Sequence, residues 1–320
     1  MSTAARVPDT YELEGDDAVE TLRETGLRAL VRNGFVRFRY ADGFSHSRAL
    51  AFQLMLVVIP ALIAIVGLAT LLGQQNLTDV LTQTMRDLAP GPASDLLTQS
   101  LQQGSSSAHE DAETALLIGG VAALISAATA MGQIERGANR IYGVERDRPA
   151  LAKYGVATIL ALTAGLATSA AFILLVPGSA LGDALTDVTG WSSTLDTLWS
   201  IGRWPLGAAL VAAAVGLLFK VSPRRHQPAF SWLAFGSTLS VLLWFAFTGL
   251  LTLYLGASKE FGETYGPLAG VIGLLLWAFL TALALFLGLA IAAQLEAVRA
   301  GQPEPLAGRS SDAGVHGDSA

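Results

Sequence analysis

The chain contains no cysteine, which removes disulfides, thiolate metal sites and cysteine nucleophiles from consideration. Charge is scarce as well: 14% of residues are charged, where a soluble domain carries about 25%. Gln227 to Ser258 and Thr264 to Leu295 hold no Asp, Glu, Lys or Arg at all. The four histidines, His46, His109, His226 and His316, stand apart and form no metal-ligand spacing. There is no GxxxxGK[ST] loop for a nucleotide triphosphate and no GxGxxG turn for a dinucleotide. No serine lies in a GxSxG turn, and no buried histidine is available to serve as a base. These absences leave no catalytic residue, metal or cofactor to assign, and the balance of −6 gives no basic surface for nucleic acid.

What the chain has instead is apolar length. Hydrophobic residues make up 52% and mean hydropathy is +0.49. A hydrocarbon core about 30 Å thick needs roughly 20 apolar helical residues, and six stretches supply that length or come near it. They are residues 49–72, 115–131, 154–176, 204–219, 230–255 and 266–295. Pro60 predicts a kink in the first. Pro205 suits the first turn of the fourth, and Pro267 the start of the last. The second has no clean end, because its apolar period continues through Ile134, Ala138 and Ile141 as one helix emerging into water. Small residues recur four apart at Gly266 and Gly270, Ala212 and Gly216, and Gly236 and Ser240, spacing that lets helices approach closely. The expected fold is all-α: a polytopic bundle of six transmembrane helices over residues 21–299. An acidic tail (1–20) precedes it and a disordered Pro/Gly/Ser tail (300–320) follows.

Basic residues orient the bundle. Arg6, Arg23, Arg28, Arg32, Arg37, Arg39 and Arg48 precede or open the first span. Arg136, Arg140, Arg146, Arg148 and Lys153 follow the second, Lys220, Arg224 and Arg225 the fourth, and Arg299 and Arg309 the last. Of the 20 Lys and Arg, this leaves Arg86, Arg203 and Lys259 for the other three loops. The positive-inside rule then puts both termini in the cytoplasm. Between residues 21 and 40, Leu22, Leu27, Leu30, Val31 and Phe35 alternate with arginines. This is either an interfacial amphipathic helix or a helix packed on the bundle. In the loop 73–113, LTDVLTQTMRDL and SDLLTQSLQQ predict two short amphipathic helices.

One polar constellation stands out, GQIERGANRIYGVERDRP from Gly132 to Pro149. On a continuing helix Gln133, Arg136 and Arg140 share a face, and Glu135 and Asn139 share the neighbouring one. Two arginines side by side call for an anion between them: a lipid phosphate, a carboxylate, or Glu135 and Glu145 of the chain itself. Gln133, Glu135, Arg136, Asn139, Arg140 and Tyr142 are therefore the candidate contacts for an anionic headgroup or substrate. The competing reading makes the arginines topology anchors that reach to the interface. Pro60, Gly266, Pro267 and Gly270 are assigned to kinking or packing.

This constellation resembles the Asn-Arg-x-Tyr-Gly motif of the YihY/virulence factor BrkB family of bacterial membrane proteins. SRALAFQLMLVVIPALIAIVGLA is similar to that family's first span, and YGPLAGVIGLLLWAFLTALALFLGLAIAAQLEA to its last. Phe52 and Gln53 replace a common Tyr-Tyr, and Ile59 a Phe. The resemblance implies six spans in the bacterial inner membrane with both ends cytoplasmic. It also brings the label ribonuclease BN, although no cluster of carboxylates or histidines for divalent ions is visible. The function expected is the transport or handling of a lipid, glycolipid or other amphiphile, with anionic membrane lipids as partners. The alternative is a scaffold for envelope integrity, acting through a homo-oligomer or a membrane-protein partner.

Overall fold

The structure is a computed structural model that describes residues 4–71, 92–175, 193–257, 265 and 268–306. Two helices precede the first span, α1 (Gly15–Thr25) and α2 (Leu27–Tyr40). The six long helices are α3 (Gly43–Leu71), α5 (Ala112–Ile141), α6 (Ala150–Leu175), α7 (Ser193–Val221), α8 (Phe230–Ala257) and α9 (Ala269–Arg299), with α4 (Pro92–Glu110) between the first two. All six are long and apolar enough to cross a bilayer. The chain is thus an all-α, six-span bundle. Gly266 and Pro267 lie outside the described residues, as do the first amphipathic stretch of the loop, 77–88, and the tail beyond residue 306.

The boundaries follow local chemistry. The acidic first turn of α1 carries a reciprocal cap, in which the Asp17 carboxylate accepts from Glu14 N–H at 3.0 Å while Glu14 caps the Asp17 amide. The single helix expected over 21–40 is broken at Gly26, whose φ of +78° belongs to the left-handed region that glycine tolerates. α5 starts at Asp111, whose side chain accepts from Thr114 N–H at 3.0 Å. It continues to Ile141 without interruption, so the polar constellation is the last part of a membrane helix. α7 differs from expectation: it begins at Ser193, and Pro205 lies inside it. Arg203, assigned by hydropathy to the preceding loop, is therefore part of the helix.

The spans form a ring in chain order. α3 packs on α5, α5 on α6, α6 on α7, α7 on α8, α8 on α9, and α9 returns to α3. α9 is the most enclosed member, with half of its most apolar stretch buried against 17% to 28% for the other five. Lipid gives little hydrophobic drive for helix association, so close van der Waals contact has to supply it. Gly236 and Ser240 of α8 meet Gly288 and Ala292 of α9. A methyl group added at Gly288 would lie 1.9 Å from Ser240 Oγ, and one at Gly236 2.6 Å from Ala292 Cβ. Gly119 of α5 sits against the backbone of α3 at Pro60 and Ala64, and Gly270 against Pro92 and Leu96 of α4. α4 places Ala93 and Leu97 on Leu62, Val66 and Leu274 of α3 and α9.

At one end of the ring the connecting segments interlock. Ala5 N–H donates to Pro305 O at 3.0 Å, Val7 N–H to Tyr142 O at 3.1 Å and Ala229 N–H to Leu13 O at 3.1 Å. Gly143, at φ +71°, lets this happen: a β-carbon there would lie 2.6 Å from Arg6 Cα. The N-terminal stretch read as an acidic tail is thus a strap from residue 4 followed by α1. Residues 300–306, assigned to the disordered tail by composition, dock beside it, with Ala4 bridged to Leu306. Backbone pairing and the burial of Val7 hold a segment whose composition alone would not.

Candidate functional site

The interlocked end gathers arginines from four parts of the chain into a collar with two centres. In the first, Asp147 stands at the end of α5. Its carboxylate accepts from Asn139 Nδ2 at 2.9 Å, faces Lys153 Nζ at 3.3 Å and lies 3.5 Å from Arg136 Nε. Partial burial works to raise its pKa, but the Asn139 hydrogen bond and the charges of Lys153 and Arg140 hold it below the ordinary carboxylate value. The anion called for between Arg136 and Arg140 is thus present within the chain, from the loop that follows them. Arg140 itself donates to the carbonyls of Val144 and Glu145 at 2.6 and 2.7 Å, bracing that loop. Arg136 remains 53% exposed.

Glu135 and Asn139, on the neighbouring face, tie the second span to the fourth. Buried Glu135 accepts from Arg148 N–H at 3.0 Å and pairs with the Arg148 guanidinium at 3.1 Å. Arg148 also donates to Val221, Ser222 and Pro223 carbonyls at 2.6 to 3.1 Å, neutralising the negative end of α7. Asn139 Oδ1 takes Arg224 N–H at 2.7 Å. Gln133 points elsewhere, with Nε2 3.0 Å from His46 Nδ1 on α3.

Tyr142 belongs to the second centre, around Arg225 and Glu296. Arg225 forms a bidentate pair with Glu296, Nη2 to Oε1 at 2.7 Å and Nη1 to Oε2 at 2.9 Å. It also donates to Pro8 O at 2.6 Å and to Asp9 at 3.1 Å, and stacks 4.4 Å over the Tyr142 ring. Thr10 hydroxyl donates to the same Glu296 carboxylate. Beside it Arg37 donates to Gln294 Oε1 at 2.9 Å, Ala5 O at 2.7 Å and Ile141 O at 3.2 Å. Burial lowers the Arg37 pKa to about 10, with Arg225 adding like charge while Tyr142 and Glu296 oppose the shift. Burial, and then the Glu296 carboxylate, push the Tyr142 phenol above its usual value. Arg225 is shifted up: burial opposes its charge, but the hydrogen bonds to Glu296 and Asp9 prevail.

Of the candidate residues, the structure brings Glu135, Arg136, Asn139 and Arg140 to one centre, Tyr142 to the other and Gln133 to α3. Sequence reasoning missed Asp147, Glu296 and Gln294 as partners, and used Arg37, Arg148, Arg224 and Arg225 only to orient the bundle. Glu296 had a signal: it is the first charge after the 264–295 run.

A ring of six spans with an interlocked polar collar at one end defines a polytopic helical membrane protein. The chain belongs to the virulence factor BrkB family, whose model matches residues 35–312. It is 25% identical to the ribonuclease-like protein YfkH of Bacillus subtilis over 254 residues, 79% of this chain and 90% of that protein. It is 26% identical to a UPF0761 membrane protein of Xanthomonas axonopodis pv. citri over 322 residues, 93% of this chain and 72% of the relative. A UPF0761 membrane protein of Xanthomonas euvesicatoria pv. vesicatoria is also 26% identical, over 93% of this chain and 71% of its own length. No solved structure matches. The family description and the Xanthomonas names specify no enzyme. Family and span count together make this a multi-pass protein of the bacterial inner membrane.

Proposed function

We propose that the protein moves or handles an anionic amphiphile, a lipid or glycolipid, with its collar and both termini on the cytoplasmic side. The single observation that carries this is the outward surface of α2. Leu30, Gly34 and Phe38 hold the helix on the bundle, with Gly34 against Ile291 of α9. Leu27, Val31 and Phe35 are exposed along one strip of the helix, and Arg28, Arg32 and Arg39 are exposed along the strip beside it. An apolar strip beside a basic strip suits a helix lying at headgroup level, with leucines dipping below and guanidinium groups meeting phosphates. The spans behind it keep their charges near the ends, so an ion has little to coordinate it in the interior while an acyl chain does not need coordination. The test is flux of labelled phosphatidylglycerol in liposomes containing purified protein. Transfer should exceed that of protein-free vesicles and slow when Arg28, Arg32 and Arg39 are all replaced by Ala. A rate equal to protein-free vesicles overturns the proposal.

A scaffold is the second reading, and it is favoured by the way the collar spends its charges inside the chain. A stoichiometric partner recovered by crosslinking in native membranes, with no flux in liposomes, would select it. The ribonuclease-like name of the Bacillus relative supplies a third reading, which requires divalent-metal-dependent cleavage of RNA by the purified protein.

A further inference from the structure

A row of polar side chains runs down the seam between α3 and α5. At its collar end stands Arg136, whose Nε is 3.5 Å from Asp147 while Nη1 and Nη2 make no hydrogen bond among the described residues. Next along the row Gln133 Nε2 donates to His46 Nδ1 at 3.0 Å, and beyond that the Thr129 hydroxyl donates to Gln53 Oε1 at 2.9 Å. Gln53 lies about 15 Å along α3 from Gly43, near half the depth of a hydrocarbon core of about 30 Å. The row ends where Gly119 of α5 closes on the α3 backbone at Pro60 and Ala64.

Each pair leaves groups open. Gln53 Nε2, Gln133 Oε1 and His46 Nε2 have no hydrogen-bond partner among the described residues. Pro60, lacking an N–H, leaves the Leu56 carbonyl without its helical donor. His46, Gln53, Thr129 and Gln133 are all half-buried, and none of their polar atoms is wholly covered and unpartnered. Hydrocarbon offers such groups nothing, so open donors and acceptors at this depth call for water or a polar ligand. The row also borders lipid: Phe52, Leu56 and Ile59 are exposed on α3, and Ile118 and Ile125 on α5. Ile118, Ile125 and exposed Arg136 fall on one strip of α5, because their spacings are close to whole helical turns.

We infer that the seam between α3 and α5 is a lipid headgroup site for a phosphate that carries free hydroxyls, with the acyl chains lying over the apolar rim. The free Nη groups of Arg136 meet the phosphate. A phosphate only accepts, whereas the rest of the row mixes donors (Gln53 Nε2, His46 Nε2) with acceptors (Gln133 Oε1, Leu56 O), and hydroxyls satisfy both. The inference rests on the proposed handling of an anionic amphiphile for its class of ligand, and adds which headgroup is preferred and where it enters.

The experiment measures equilibrium binding to full-length protein in a neutral detergent. The probes are dioctanoyl phosphatidylglycerol and dioctanoyl phosphatidylmethanol, which has the same charge and no hydroxyl. Wild type should prefer phosphatidylglycerol. Gln53→Leu should weaken phosphatidylglycerol binding by about fivefold, the worth of one neutral hydrogen bond, and leave phosphatidylmethanol unchanged. Arg136→Gln should weaken both by at least about tenfold. If Gln53→Leu does not fold, single cysteines, unique in a chain that has none, read the same place: Thr129→Cys in liposomes should react with a hydrophilic thiol reagent faster than lipid-facing Ile125→Cys. Equal binding of the two lipids by wild type overturns the inference. So do variants that bind as wild type does, or a Thr129→Cys thiol no faster than that of Ile125→Cys. A Gln53-dependent preference without flux in liposomes keeps this site and removes transport, and flux without that preference does the reverse.

Discussion

Glu296→Gln tests whether the collar is a structural lock. The wild-type carboxylate is 0% exposed and its partner Arg225 3%, so neither charge is relieved by water. Gln keeps the shape but removes the charge, leaving a buried guanidinium with Asp9 as its remaining carboxylate. Asp9 is 33% exposed and compensates in part. Breaking a buried pair from one side costs about 3–5 kcal/mol, and Asp9 puts the expectation near the lower end. The assay is equilibrium unfolding of the detergent-solubilised protein by SDS titration, followed through tryptophan fluorescence; Trp232 is fully buried in the core cluster that includes Tyr142. Arg225→Met combined with Glu296→Leu should cost less than Glu296→Gln alone, because both buried charges leave together and only Asp9, 33% exposed, loses its partner. Strap residues 4–13 should also become protease-sensitive in Glu296→Gln, since Pro8, Asp9 and Thr10 are all held by this pair. A loss below about 1 kcal/mol, the range of exposed pairs, would refute the lock.

Two further outcomes follow from the packing and the charges. Gly288→Ala places a methyl group 1.9 Å from Ser240 Oγ and 2.6 Å from Gly236 O, and should cost about 1–3 kcal/mol in the same titration; adding Ser240→Ala should recover only part, because the carbonyl clash stays. Asp147 has a folded pKa below its ordinary 3.8, so its contribution to stability is present above 3.8 and is lost as pH falls through the folded value. The unfolding midpoint of wild type should therefore drop across that acid window, and Asp147→Asn should show a smaller drop over the same window.

The membrane helices are legible in the sequence because lipid imposes a coarse rule: a run of about 20 residues without charge has few other places to go. The same rule explains the error at α7. Arg203 and Pro205 together look like a loop residue and a helix start, yet Ser193 to Val221 is continuous helix. Hydropathy averages a window and cannot see that one guanidinium is covered by the fold rather than by water. The break at Gly26 was missed: a glycine inside a helix costs about 1 kcal/mol, but the apolar period on either side carried one helix across it.

The collar was legible only as one half of each contact. Arginine placement was readable because the rule that retains it on one side of the membrane acts on position in sequence. Its partners were not, because they arrive from far along the chain: Thr10 and Glu296 are separated by 286 residues, Arg37 and Gln294 by 257. No local period marks such a pair. Arg136, Arg148 and Arg225, three of the arginines that orient the bundle, are paired with Asp147, Glu135 and Glu296 of their own chain. Arg225, 3% exposed, has little charge left for a ligand, whereas Arg136 stays 53% exposed. The arginines that can meet an anion without dismantling the fold are therefore Arg136 and the exposed Arg28, Arg32 and Arg39 of α2.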